Sequence, residues 1–332
     1  MILRARTHHD VTRRSRLRRT PGLRALVQET RLNAADLVEP IFVAEQPEDA
    51  GPIESMPGVQ RESLASIGAR ARAIADSGVR AVLLFGIPAT KDACGSCASD
   101  GDGVIPRAIE VIKDVVPDLV VMTDVCLCQY TAHGHCGILN EDGIELEATL
   151  DALSRTALAH ARAGADVIAP SAMLDGVVQT IRQTLDAHGF PDRAILAYAI
   201  KHASAFYGPF RDAADSAPSF GDRRAHQMDP ANSREALREA AQDIAEGADA
   251  VMVKPGLPCL DLILRARDLG HPVAAYQVSG EYSMVAAAAR TGWLDERAVA
   301  LESLTALKRA GADIIITYWA SRAAHWLREQ ST

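Results

Sequence analysis

The sequence predicts an α/β protein: a single (β/α)8 TIM barrel with an extended N-terminal arm. Three observations carry that expectation. Eight short runs rich in Val, Ile, Leu and Ala alternate with amphipathic helical patterns, which marks a parallel sheet buried on both faces. A Gly-Ala-Asp triplet recurs at 164–166, 247–249 and 311–313, each time between a helix and the next strand, and Ser77-Gly78-Val79 is a looser copy. No glycine-rich dinucleotide fingerprint or phosphate loop follows any strand, which disfavours a two-domain Rossmann arrangement. The 332 residues, 48% hydrophobic and 23% charged, suffice for such a barrel and an arm.

Residues 1–35 are expected to form the arm. Residues 1–31 hold nine Arg against Asp10 and Glu29, a local +7 in a chain of net charge −8. Such an arm grips an anionic partner, nucleic acid being one candidate, or packs on an acidic neighbouring subunit. The stretch has no aromatic residue to stack on bases, so subunit contact is the preferred reading. The acidic balance of the whole chain also argues against a dedicated nucleic-acid binder.

The barrel is expected over 36–332. Its strands are read at Leu37–Val43, Ala81–Phe85, Leu119–Val125, Asp166–Ala169, Ala194–Ala199, Ala250–Lys254, Val273–Val278 and Ile314–Tyr318. Helical patterns fill about 61–77, 107–115, 147–163, 175–188, 233–246, 259–269, 281–310 (two helices) and 320–329. Within 147–163, Leu150, Leu153, Ala157, Leu158 and Ala161 recur at helical spacing. The triplet glycines are expected to end their helices in left-handed caps, with the strand two residues later. The stretch 202–232 holds Pro209, Pro218, Pro230, Gly208 and Gly221 with no clear helix, and reads as a lid or binding loop. No apolar run approaches the roughly 18 residues of a membrane span, and the N-terminus does not read as a secretion signal, so a cytoplasmic protein is expected.

Active sites of this barrel lie at the C-terminal ends of the strands. The third strand ends in Asp124 and runs into Cys126 and Cys128; the fifth ends at Lys201, the sixth at Lys254, the seventh at Ser279 and the eighth at Tyr318. The chain has 30 Arg and five Lys, so lysines at two adjacent strand ends stand out. Each could simply pair with a carboxylate. Two ammonium groups in one partly dry mouth repel, however, and burial also disfavours the charge, so at least one should become a neutral amine able to attack a ketone.

Cys126, Cys128 and Cys136 fall within eleven residues, in a turn-rich loop with His133 and His135. Three thiolates leave one position of a tetrahedral Zn²⁺ open, the arrangement of a catalytic site; the alternative is buried free thiols. Cys94-Gly-Ser-Cys97 is a CxxC pair with no assignment. Arg211, Arg223 and Arg224 lie in the long loop, where an Arg above two amines could clamp a carboxylate.

These residues resemble the 5-aminolevulinate dehydratase (porphobilinogen synthase) family of the zinc-dependent type. The matching segments are Thr123–Gly137 (TDVCLCQYTAHGHCG), Phe206–Ala213 (FYGPFRDA), Met252–Gly256 (MVKPG), Tyr276–Tyr282 (YQVSGEY) and Ile316–Tyr318 (ITY). The resemblance implies a lyase that joins two 5-aminolevulinate molecules into porphobilinogen, losing two waters, in tetrapyrrole (heme) biosynthesis. By motif, Lys254 would form the Schiff base with the first substrate, with Ser279 and Tyr318 holding its carboxylate. Lys201 would serve the second, whose carboxylate would meet Arg211 and Arg223. Cys126, Cys128 and Cys136 would hold the zinc. A stimulatory Mg²⁺ at a subunit interface is implied at Glu239, fifteen residues before Lys254, against the plainer reading of a solvated helix glutamate. The family usually forms a homo-octamer through its arms. The chain departs from the family pattern at Ala172, where an Asp is usual, at His202, where an aromatic is usual, and at Cys94 and Cys97. Two rivals remain: another class I Schiff-base aldolase, which needs one lysine and leaves the cysteine loop without purpose, and a non-catalytic scaffold barrel.

Overall fold

The computed structural model describes residues 14–331. These form two compact units, divided between Arg31 and Leu32. The first contains a 3-10 turn, Arg14–Arg18, and a short helix, Pro21–Leu26. The Thr20 hydroxyl accepts from Leu23 N at 3.2 Å, and Pro21 costs the helix nothing at its first position, where the N–H has no partner in any case. The calls on residues 1–13 lie outside the described residues.

The second unit is the barrel. Its strands are β1 (Leu37–Ala44), β2 (Ala81–Ile87), β3 (Val120–Val125), β4 (Val167–Pro170), β5 (Ala194–Lys201), β6 (Ala250–Lys254), β7 (Val273–Gln277) and β8 (Ile314–Thr317). Each pairs in parallel with the next, and β8 closes on β1 through Leu37↔Ile315 and Val38↔Ile316. The main helices are α1 (Ile67–Asp76), α2 (Val104–Val115), α3 (Leu146–Ala163), α4 (Val177–Ala187), α5 (Arg234–Glu246), α6 (Leu260–Ala266), α7 (Ser279–Arg290), α8 (Glu296–Ala310) and α9 (Ala320–Ser331). Strands covered by helices outside and by packed side chains inside must be apolar throughout; β1 and β2 are buried along their whole length.

The repeated triplet has a definite job. Gly164, Gly247 and Gly311 close α3, α5 and α8 with φ of 107°, 112° and 120°, a conformation that costs a side-chain-bearing residue dearly. The Asp that follows then grips the preceding strand at two points. Asp166 N donates to Val121 O (2.9 Å) while its carboxylate accepts from Val121 N (2.8 Å). Asp249 does the same with Ile195, and Asp313 with Val273. Each strand begins three residues after the glycine, because the Asp serves the neighbouring strand before its own strand starts; the sixth and eighth start at Ala250 and Ile314 as read, and the fourth at Val167, one residue after the expected Asp166.

Two further expectations are corrected. The helix expected over about 61–77 starts later: Gln60–Ser63 forms a strand beside β1, with Phe42↔Arg61 in register, and the helix begins at Ile67. The loop after β5 contains a 3-10 turn, Ala205–Tyr207, and a short helix, Gly208–Ala213, with Pro209 in its first turn. The two are linked, since Arg61 Nε donates to Ala213 O and Arg61 Nη2 to Asp212 O, both at 2.8 Å. The extra strand therefore holds the lid helix.

Candidate active site

Lys201 and Lys254 are register partners at the ends of β5 and β6, only 6% and 5% exposed. Their side chains leave adjacent strands, about 4.8 Å apart, toward the same mouth. Lys201 Nζ donates to the Ser171 carbonyl. The Lys254 ammonium faces the rings of Tyr276 at 4.5 Å and of Tyr198, Tyr207 and Phe210 at 5.1 Å each. Burial first, and the charge of Lys201 second, bring the Lys254 pKa down to about 7, against the pull of Asp124 and the cysteines. Near neutral pH about half of this lysine is a free amine.

Asp124, the penultimate residue of β3, lies in the same mouth and accepts from Gln129 Nε2 at 3.1 Å. Burial, then Cys128, push its carboxyl up, while Lys201 and Lys254 pull it down. Such a group can hold or release a proton beside two amines.

Cys126, Cys128 and Cys136 are buried and bring their sulfurs within 4.8 Å of one another. Among the described residues this is the one group of three or more such side chains able to hold a metal ion. Hydrogen bonds from Cys126 and Cys128, helped by Arg223 and Lys201, draw Cys136 below the ordinary thiol range. Hydrogen bonds to its two neighbours and burial push Cys126 up. Three soft donors, one of them drawn toward the thiolate, suit a thiophilic divalent ion. The cysteine loop is fixed from behind: Asp92 N donates to Tyr130 O, and Ala132 N to Asp92 O. Cys94 and Cys97 lie in that supporting loop and are free thiols; they do not join the trio.

The lid closes over these groups. Lys91 Nζ reaches the Asp215 carboxylate at 2.6 Å, Ser219 N donates to His133 O at 3.0 Å, and Arg223 Nη2 donates to Gly134 O at 2.7 Å. Gly134 has φ of 71°, and a Cβ there would fall 2.3 Å from the Ala217 carbonyl, so only glycine lets the lid dock on the cysteine loop. The Nε of Arg211 and of Arg223 are both buried without a partner, and Arg211 is held below the ordinary guanidinium range by burial and then by Arg223. Guanidinium nitrogens left free in this way are able to donate to an anion.

Together Asp124, Cys128, Ser171, Lys201, Lys254, Phe210, Arg211 and Arg223 border one cavity of about 20 Å³, room for little more than a water. The lid must therefore open to admit any substrate. Ser279 and Tyr318 stand just beyond it. The Ser279 hydroxyl accepts from Phe210 N at 2.9 Å and donates to Phe206 O at 3.3 Å. Tyr318 shares a 3.0 Å hydrogen bond with Tyr276 and stacks on Phe42. Ser279 opens α7 rather than ending β7, and Tyr318 follows β8. Glu239 lies elsewhere, on α5, in a cleft of about 550 Å³ with Asp175, Asp229 and Glu235. Burial and then Asp175 raise its pKa. Sequence reasoning gave no role to Tyr198, Tyr207, Phe210 and Tyr276, although a lone Tyr in each of the runs AILAYAIK and VAAYQ is a legible oddity.

A family profile described as "Delta-aminolevulinic acid dehydratase" matches residues 11–326. The chain belongs to the delta-aminolevulinic acid dehydratase family. It is 52% identical over 319 residues to the delta-aminolevulinic acid dehydratase of Halalkalibacterium halodurans, covering 96% of this chain and 97% of that one. To the Escherichia coli dehydratase it is 50% identical, over 93% of this chain and 96% of the other. The delta-aminolevulinic acid dehydratase (porphobilinogen synthase) of Toxoplasma gondii ME49, solved with the reaction product porphobilinogen, superposes with a TM-score of 0.93 at 43% identity, over 96% of this chain and 92% of that one. As in other members of the dehydratase family, the chain is an enzyme built on a TIM barrel. Among the described residues no helix is long and apolar enough to cross a membrane.

Proposed function

We propose that this chain condenses two 5-aminolevulinate molecules into porphobilinogen with loss of two waters, a step of tetrapyrrole biosynthesis. The observation that carries the reading is the convergence on one cavity of two register-paired lysines, two lid arginines and Cys128 of the buried cysteine trio. An aldolase would need one of the lysines and none of the cysteines, and a scaffold none of them.

In this reading the neutral Lys254 amine attacks the ketone carbon of the first substrate. The N–C bond forms, the carbonyl oxygen takes up protons and leaves as the first water, and an imine remains. The aromatic rings around Lys254 exclude bulk water from the imine and favour its protonated form. That cation acidifies the adjacent carbon, and Asp124 is the nearby carboxylate able to take a proton as a C–C bond forms. Ser279 and Tyr318 would hold the first carboxylate once lid opening frees the Ser279 hydroxyl from Phe210. Lys201 would serve the second ketone, and Arg211 with Arg223 would take the second carboxylate. Cys126, Cys128 and Cys136 would hold Zn²⁺, whose Lewis acidity would polarise the second substrate's oxygen.

The acidic cleft around Glu239 suits a Mg²⁺ that keeps several of its waters, since no three carboxylates of the described residues converge there. We assign the basic arm to subunit contacts in a homo-octamer, and the enzyme to the cytoplasm. The test is porphobilinogen formation from 5-aminolevulinate by chelator-treated protein. Turnover lost on chelation and restored by Zn²⁺ is expected. Turnover indifferent to zinc refutes the role of the three cysteines, and no turnover in any state, with Mg²⁺ also supplied, refutes the reaction.

A further inference from the structure

We propose that His202 is the latch of the lid, a positioning residue that ties both ends of the 203–231 segment to the strand ends bearing Lys201 and Lys254. This rests on the reading of Arg211 and Arg223 as carboxylate holders carried by that lid.

The lid leaves the barrel at Ala203 and returns at Met228–Asn232, and both ends meet at His202. Met228 N donates to Lys201 O at 3.1 Å, and Ala203 N donates back to Met228 O at 2.8 Å. His202 N donates to Lys254 O at 3.0 Å, so its backbone bridges β5 to β6. Its buried imidazole completes the clasp, with Nε2 lying 3.2 Å from the Asn232 carbonyl and Nδ1 lying 3.6 Å from Cys259 Sγ.

These partners fix the proton. A carbonyl only accepts, so Nε2 carries the hydrogen and donates to Asn232, which leaves Nδ1 to face the Cys259 thiol. Cys259 fits the complementary part. Burial, then Asp261 and Glu281, push its thiol up to about 12, so it stays an S–H and donates to Nδ1. The relay runs from the Cys259 thiol through the ring to Asn232, which closes the Asp229–Asn232 turn just before α5. Without it, the returning end of the lid keeps the Met228 bridge but loses its side-chain anchor. His202 does not border the cavity. Its influence reaches the substrate through the placement of Arg211 and Arg223, and through the balance between the closed lid and an open one that admits substrate.

Three variants separate this latch from general packing, because Gln places its amide nitrogen close to the Nε2 position of histidine and Asn places it close to Nδ1. Steady-state kinetics with 5-aminolevulinate and hydrogen–deuterium exchange over 203–231 are measured for H202Q, H202N and H202A in the full-length protein. H202N and H202A should raise KM about tenfold, change kcat less than about threefold, and speed exchange in the lid, the scale of a buried hydrogen bond whose partner is stranded. H202Q should stay within about threefold of the parent in both readouts. Equal damage in H202Q and H202N, or unchanged lid exchange in H202A, overturns the latch. If H202A does not fold, the contrast between H202Q and H202N still decides. A parent protein that makes no porphobilinogen refutes the reading of the site, and the exchange contrast then judges the latch alone.

Discussion

Replacing Lys201 by Met should move the protonation of Lys254 to higher pH. The two residues are register partners on adjacent strands, and their nitrogens lie 5.5 and 5.1 Å from the centre of the same Tyr198 ring. The nitrogens are therefore at most about 11 Å apart; taking the strand spacing of about 5 Å as the near limit, their repulsion at an effective dielectric of about 20 is about 1.5 to 3 kcal/mol. That equals roughly one to two pKa units. Removing Lys201 also takes one ammonium away from Asp124, which lets its carboxyl rise and weakens its pull on Lys254, an effect of opposite sign that trims the shift. Lys254, held at about 7 by burial and then by Lys201, should titrate near 8 to 9 in K201M. At pH 7 the neutral fraction falls from about a half to between a tenth and a hundredth, so imine formation slows about 5- to 50-fold and recovers by about pH 10. The assay is the rate of borohydride-trapped 5-aminolevulinate adduct on Lys254, followed by mass spectrometry across pH 5–10, which does not require the variant to complete the reaction. A midpoint that stays put, or moves down, refutes the argument that the second lysine activates the first.

Burying Lys254 also has a cost that its replacement should relieve. Its folded pKa of about 7 lies below the unfolded value of 10.5, so the unfolded chain binds more protons between those values and stability rises with pH across that window. K254M should therefore be more stable than the parent at pH 7, by of order 4 kcal/mol, with the gap closing toward pH 10.5 in thermal unfolding followed by circular dichroism. Replacing Cys128 by Ser removes one of three thiolates, a share of roughly 3 kcal/mol in a binding free energy of order 10, so competitive titration should show zinc bound about 100-fold more weakly. G134A places a methyl against the Ala217 carbonyl, and it should raise KM and speed proteolysis within the lid while leaving the borohydride adduct on Lys254 intact.

Much of this was legible because the barrel repeats one physical problem eight times. Apolar strands, helix caps and the Gly-Ala-Asp triplets mark each passage from helix to strand, and strand positions followed to within one or two residues. The segment at 60–63 was misread because Arg61 and Glu62 continue the polar spacing of the helix that follows. Only the tertiary pairing with Phe42 and Val43 makes them a strand. The lid helix escaped notice because six residues with a proline at the start carry no periodicity. At the site, lysine scarcity and cysteine spacing pointed to the reacting groups. The aromatic rings around Lys254 come from β5, β7 and the lid, and local patterning gives no measure of such convergence. The engagement of Ser279 by Phe210 in the closed lid was beyond sequence for the same reason.

The most direct test of the division of labour between the two lysines is a crystal structure of the protein soaked with 4-oxopentanoate, a substrate-like ketone without the amino group. Continuous density from Lys254 Nζ to the ketone carbon, with the carboxylate on the hydroxyls of Ser279 and Tyr318, is the predicted result. A ligand bonded to Lys201, or one whose carboxylate lies on Arg211 and Arg223 with Lys254 unmodified, would contradict the account.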